Sequence, residues 1–226
     1  MKFATFDIET VPNTTSLPEG IKPEFDPTSV KLGNTKDIVK ITEKVQDARL
    51  DFDAALDKKM SLDPDLCEVV CFVGQETDGA VAVYPNDIIE LAWSFIEGYY
   101  LEHIPLVSFN GIAFDLPVLW HQAMMHNIPV SPQMYSDLTK RYENRYHYDL
   151  MELLSTWDVM AKRRKYHSLD YYLNLFGIGE KAGEGSEVYE WWKAGEYDKI
   201  GEYCEQDVLL TAKLFERLEG YIVKEI

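Results

Sequence analysis

The sequence predicts an α/β fold in which a mixed central sheet is flanked by helices. Two observations on segment order predict it. Strand-length apolar runs cluster early in the chain, and the remainder alternates helical with short strand-like segments, an order that places helices on the faces of one sheet. Composition is the third: 226 residues, 46% hydrophobic and 27% charged, are those of a globular chain able to bury a core.

Residues 2–7, Lys-Phe-Ala-Thr-Phe-Asp, alternate loosely in apolar character and end at an acid, which reads as the first strand. From about 12 to 63 the chain is rich in Pro, Asn, Asp and Thr and poor in apolar residues. It reads as a long insertion between the first two core strands, with one helical piece at about 37–50. Residues 68–74, Glu-Val-Val-Cys-Phe-Val-Gly, are a strand, and 79–84 after Thr77-Asp78 are its hairpin partner. Asn86 fits the cap of a helix in which Ile88, Ala92, Phe95, Ile96 and Tyr99 recur at helical spacing. Residues 104–109 form another short strand. Residues 115–127 are a helix with Leu116, Leu119 and Ala123 on one face, and 148–151 are a last short strand. Helices follow near 168–176, 187–193 and 196–218, around a Gly-rich loop at 177–185. The whole chain, 1–226, is expected to be one domain, with no repeats and no low-complexity tract.

The formal net charge of −17 excludes a generally basic nucleic-acid coat. Residues 137–167 are the only long stretch of positive balance, carried by Lys140, Arg141, Arg145 and the run Lys162, Arg163, Arg164, Lys165. No apolar run approaches the roughly 18 residues that cross a bilayer, and the N-terminus lacks a signal-peptide pattern. A soluble, cytosolic protein without membrane partners is expected. Cys67, Cys71 and Cys204 have neither CxxC nor zinc-finger spacing and read as reduced core thiols.

Chemistry concentrates in three acidic motifs. Asp7-Ile8-Glu9-Thr10 ends the first strand, where the two-residue period turns both carboxylates to one face. Two neighbouring carboxylates repel unless a cation lies between them, and a hard ion such as Mg²⁺ or Mn²⁺ takes one or two protein carboxylates plus substrate phosphate. A solvated strand end is the plainer reading of this pair alone. Ser108-Phe-Asn-Gly-Ile-Ala-Phe-Asp115 runs from strand through a turn into a helix, where Asp115 favours the first turn whatever else it does. Tyr203 and Asp207 lie four apart on an amphipathic helix, so a phenol and a carboxylate share one face.

Taken in order, D-x-E-T, N-G-x-x-F-D and Y-x-x-x-D resemble the three exonuclease motifs of the DEDD superfamily in its tyrosine subclass. The chain resembles more narrowly the predicted 3'-5' exonucleases related to the proofreading domain of family B DNA polymerases, many of them phage-encoded. The likeness extends to Val11-Pro12, Ser168-Leu-Asp and Leu175-Phe-Gly-Ile. It implies an RNase H-like fold and two divalent cations, Mg²⁺ or Mn²⁺, held by Asp7, Glu9, Asp115 and Asp207. Tyr203 would then orient the attacking water or help deprotonate it. The implied activity releases nucleoside 5'-monophosphates from 3' ends of single-stranded DNA, in phage replication, repair or recombination if the source is a phage, and so in the host cytoplasm.

The resemblance also places Ile8, Thr10, Asn110 and Phe114 at the strand end and Lys162, Arg163 and Arg164 along its path. Phe114 serves equally as a core residue, and the basic run equally as a solvated loop. No polymerase domain is expected, so proofreading would act in trans, beside a separate DNA polymerase or a single-stranded-DNA-binding protein. An RNA-directed DEDD nuclease shares the same metal chemistry, and a catalytically silent scaffold shares the fold. An Asp-x-Asp phosphotransferase does not fit, because residue 9 is Glu. The five His residues form no ligand pattern, and Trp191-Trp192 and Tyr171-Tyr172 read as packing.

Overall fold

The computed structural model describes residues 1–76, 79–83, 87–141, 143–181 and 183–223, with the backbone alone at 79–83. Strand β1 (Ala4–Pro12) is the centre of the sheet and is buried along its length except at Asp7. It runs five residues past the expected end, because Glu9 to Pro12 continue to pair with β2 (Cys67–Glu76). That antiparallel ladder carries a bulge between Glu9 and Thr10, a device that turns side chains away from their regular direction. β3 (Gly79–Val83) pairs antiparallel with β2, while β4 (Leu106–Ser108) and β5 (His147–Asp149) add in parallel on the other side of β1. The order is β3-β2-β1-β4-β5.

Alternation along β1 sorts its residues between two layers. Ala4, Phe6 and Ile8 join Phe72 in a core covered by α2 (Ile88–Leu101), α3 (Asp115–Met125) and α4 (Pro132–Leu138). Phe3 and Val11, on the opposite face, pack under α5 (Leu150–Leu154), α6 (Leu169–Phe176), α7 (Val188–Ala194) and α8 (Tyr197–Ile222). Asp7 and Glu9 share this second face. α8 is held there by a stripe at three- and four-residue spacing, including Ile200, Cys204, Val208, Leu214 and Phe215. Phe215 is fully buried between Phe3 and Tyr148, at ring distances of 4.7 and 5.2 Å.

Several boundaries differ from expectation for local reasons. The last core strand stops at Asp149 because its carboxylate accepts from the Met151 and Glu152 amides and so opens α5. Asn86 and the expected turn Thr77-Asp78 lie outside the described residues. The residue at the N-cap of α2 is Asp87, in left-handed conformation and without a side-chain cap bond. α4 was not expected; Ser131, whose hydroxyl accepts from the Met134 amide, and Pro132 start it. The helical piece of the 12–63 segment extends well beyond residue 50, as α1 (Ile38–Ser61), capped by Asp37 and mostly exposed. Thr10 Oγ1 donates to Ser61 O at 2.7 Å and fastens the end of α1 to β1. The basic run, read as a track or a loop, lies in a two-stranded hairpin of β6 (Thr156–Asp158) and β7 (Arg163–Lys165). Among the described residues, no helix is long and apolar enough to cross a membrane.

Candidate active site

The site grows from an interruption in the sheet. β1 and β4 pair only at Ala4↔Leu106 and Thr5↔Val107. Beyond Thr5 the β4 side of β1 has no strand beside it, and a buried amide there needs another acceptor. The Ile8 amide donates to Asp115 Oδ1 at 3.3 Å. The missing ladder bond thus brings the start of α3 against β1 and sets Asp115 beside Asp7.

A buried polar scaffold shapes the loop that delivers Asp115. Asp149, 1% exposed, accepts from the amides of Asn110 and Ile112 at 3.0 and 2.9 Å while it also caps α5. Ser108 Oγ lies 2.8 Å from His147 Nε2 and accepts from the Gly111 amide at 3.2 Å; His147 Nδ1 lies 2.9 Å from Leu138 O. A carbonyl only accepts, so Nδ1 carries the proton and Nε2 takes one from Ser108. Burial pushes the His147 pKa down, which keeps this neutral tautomer. At Gly111 a Cβ would stand 2.2 Å from Ser108 Oγ, so the turn has no room for a side chain. Asn110, at φ 75°, completes the bend.

α8 brings the remaining groups over the same end of β1. Lys181 Nζ donates to Tyr203 Oη at 2.9 Å and pairs with Asp207 Oδ2, and Tyr203 also bonds Asp207. The other oxygen, Asp207 Oδ1, is buried with no partner among the described residues. Burial is the largest cause raising the pKa of Asp7, with Asp115, Glu9 and Asp207 adding to it and Lys181 opposing. Burial and Asp207 likewise raise Glu9, burial raises Asp115, and burial raises Asp207 against the pull of Lys181. Burial opposes the charge on Lys181, but Asp207 and Tyr203 outweigh it and raise its pKa. The Tyr203 phenol is also raised, first by burial.

Four converging carboxylates with one ammonium make a cleft short of positive charge. Asp207 Oδ1 is a buried oxygen donor without a protein partner among the described residues, as a site for divalent cations requires. A cavity of about 540 Å³ opens beside these groups, lined by Ser168, Lys181, Gly185 and Tyr203. A second, of about 590 Å³, runs between Thr10, the C-terminal part of α1 and Tyr189.

Of the residues singled out by sequence, Asp7, Glu9, Asp115, Tyr203 and Asp207 are brought into one cluster. Ile8 is a correction: its side chain is buried in the core on the opposite face, and only its amide faces the site, bonded to Asp115. Phe114 is half-buried against that same core, at the N-cap position of α3. Lys162 and Arg163 are exposed on the hairpin, and Arg164 is half-buried with Nη1 on Ser155 Oγ. Sequence reasoning missed Lys181, which lies 22 residues before Tyr203 in a Gly-rich loop with no pattern around it. It missed Asp149 as well, where Asp followed by an apolar run is a helix-cap signal.

A five-stranded mixed sheet in this order, with helices on both faces and acids gathered on its central strand, is an RNase H-like exonuclease fold. The model of a family described as "Predicted 3'-5' exonuclease related to the exonuclease domain of PolB" matches residues 66–223, and the chain belongs to that family. Asp7 and Glu9 precede the matched span. A family B DNA polymerase from the hyperthermophilic archaeon Pyrobaculum calidifontis is similar in fold, with a TM-score of 0.51 at 17% identity over 97% of this chain. The chain spans 24% of that polymerase. No curated protein matches the sequence.

Proposed function

We propose that the chain is a metal-dependent exodeoxyribonuclease that removes nucleoside 5'-monophosphates from the 3' ends of single-stranded DNA. The observation that carries this reading is the convergence of four carboxylates, Asp207 among them with a buried oxygen lacking a protein partner among the described residues, in a chain of this family. Asp7, Glu9 and Asp207 would hold one divalent cation, Mg²⁺ or Mn²⁺, and Asp7 and Asp115 a second. The pair would supply Lewis acidity to the attacking and leaving oxygens. Four carboxylates and the Lys181 ammonium sum to a charge of −3, which two divalent cations convert to +1, a site able to receive phosphate.

The protein groups then divide the work. Tyr203 is a poor base, because burial raises its phenol, but it is a fixed hydrogen-bonding group that orients the incoming water. Lys181 opposes the effect of burial on Asp207 and holds Tyr203 in place. Thr10, Asn110 and Phe114 would border the terminal nucleotide, and Lys162, Arg163 and Arg164 would follow the strand, with bases on the exposed apolar side chains of the hairpin. The whole chain acts as one unit, with residues 12–63 as an insertion beside the cleft. A separate polymerase or a single-stranded-DNA-binding protein would present the ends.

Single-stranded DNA labelled at the 3' or the 5' end tests the reading. Mononucleotides should leave the 3' end in Mg²⁺ or Mn²⁺. EDTA or Asp7→Ala should reduce the rate on the order of 10³-fold, the effect of removing a preorganised charge-stabilising group. Cleavage of RNA instead would move the assignment to an RNase, and no cleavage of either polymer would leave a scaffold.

A further inference from the structure

The cluster contains a donor that hard-metal chemistry does not call for. Cys204 follows Tyr203 on α8, and its sulfur is turned to β1, with Sγ 3.6 Å from Asp7 O and 3.8 Å from Asp7 Oδ2. One ligand atom each from Asp7, Glu9 and Cys204 lie within 4.8 Å of one another. A tetrahedral cation with metal–oxygen bonds of ~2.1 Å and a metal–sulfur bond of ~2.3 Å sets oxygen and sulfur roughly 3.6 Å apart. The observed 3.8 Å therefore needs little adjustment.

A second observation is independent of the thiol. Glu9 is 9% exposed yet has no hydrogen-bond partner among the described residues, and its carboxylate belongs to the same trio. Two adjacent carboxylates with no donor between them repel unless a cation joins them. Mg²⁺ gains nothing from sulfur, whereas thiolates select ions of the Zn²⁺ class.

We propose that Asp7, Glu9 and Cys204 form a three-ligand site for a thiophilic divalent cation, which competes with the hard cations and arrests the nuclease. On binding, the Cys204 S–H bond breaks, the sulfur–metal bond forms and the proton leaves to solvent, with no change of oxidation state. Cys71 lies opposite Glu9 in the β1–β2 ladder and in hydrogen-bond contact with Cys204, but it stays outside the trio. The inference rests on reading Asp7 and Glu9 as metal ligands and adds a selectivity to the same site.

Cd²⁺ titration of the reduced full chain tests it, read by sulfur-to-metal charge-transfer absorption in the near ultraviolet. The band should saturate at one equivalent, vanish in Cys204→Ser and persist in Cys67→Ser and Cys71→Ser. Loss of the sulfur should weaken Cd²⁺ binding by more than the roughly 10–100-fold that loss of an outer partner costs. A band absent from the wild type, or surviving in Cys204→Ser, overturns the proposal. If Cys204→Ser does not fold, X-ray absorption on the Zn²⁺-loaded wild type decides, since one sulfur neighbour near ~2.3 Å supports the site and light atoms alone overturn it. Mn²⁺ calorimetry separates this from the wider reading. Mn²⁺ binding that depends on Asp7, without a thiolate band, removes only the cysteine; no binding of either ion removes both.

Discussion

Gly111 and His147 do not touch a reacting atom, yet the position of Asp115 depends on both. In Gly111→Ala the new methyl meets Ser108 Oγ, and the side chain that must yield is itself bonded to His147. Overpacking of this kind costs about 1–3 kcal/mol. Chemical denaturation should register that loss, and exonuclease rate should fall with it as Asn110 and Asp115 shift. His147 sets a pH dependence. Its folded pKa lies below the ordinary ~6.5, so the two states bind equal protons above that value, while below it only the unfolded chain takes one up. Stability should therefore decline as pH falls from about 6.5 toward the folded pKa. Imidazole NMR should show His147 neutral through that range; a His147 that protonates near 6.5 would contradict the tautomer derived from its Leu138 bond. Lys181→Met should lower the exonuclease rate by roughly 10–100-fold, as for a partner that orients ligands, with metal binding retained.

At the scale of elements, the β6–β7 hairpin holds Trp157, Val159 and Met160 exposed at 64, 73 and 93%, next to its basic residues. An apolar tip on a charged stem is a means of holding bases and phosphates together. Double replacement of Lys162 and Arg163 by Ala should weaken single-stranded DNA binding and make its log–log dependence on salt shallower, by about 0.7 for each phosphate that is no longer neutralised. Filter binding at several salt concentrations would measure it. The same hairpin shows where legibility in the sequence ends. β1, β2 and α8 were readable because their apolar periods are long and each is packed against several neighbours. β6 and β7 are three residues each, with polar side chains, and pairing rather than pattern makes them strands. The three acidic motifs were legible because each sits within or at the start of a strongly patterned element. Lys181, Asp149 and Cys204 were not, since their roles come from distant partners: 26 residues away for the Lys181–Asp207 pair, 39 for Asn110–Asp149 and 197 for Cys204–Asp7.

For the molecule as a whole, the net charge of −17 and the clustered acids would make bound cations, under the proposed function, a stability term as well as a catalytic one. Mn²⁺ at 100 times its dissociation constant should stabilise the fold by about 2.7 kcal/mol, an increment that Asp7→Ala should remove in thermal melts. The central strand has a further consequence, for synthesis. Of the elements described, β1 leaves the ribosome before the others, but its antiparallel neighbour begins at Cys67, its parallel neighbour at Leu106, and the helix carrying Tyr203 and Asp207 follows all of them. Such pairings are slow to form, because a long loop must close before any contact rewards it. A nascent chain lacking α8 lacks the fourth acid, the phenol and the stripe that covers the Asp7 face. Competence to cut should thus arise in one late step, so translation intermediates stalled before residue 197 should be inert toward nucleic acid even when loaded with metal.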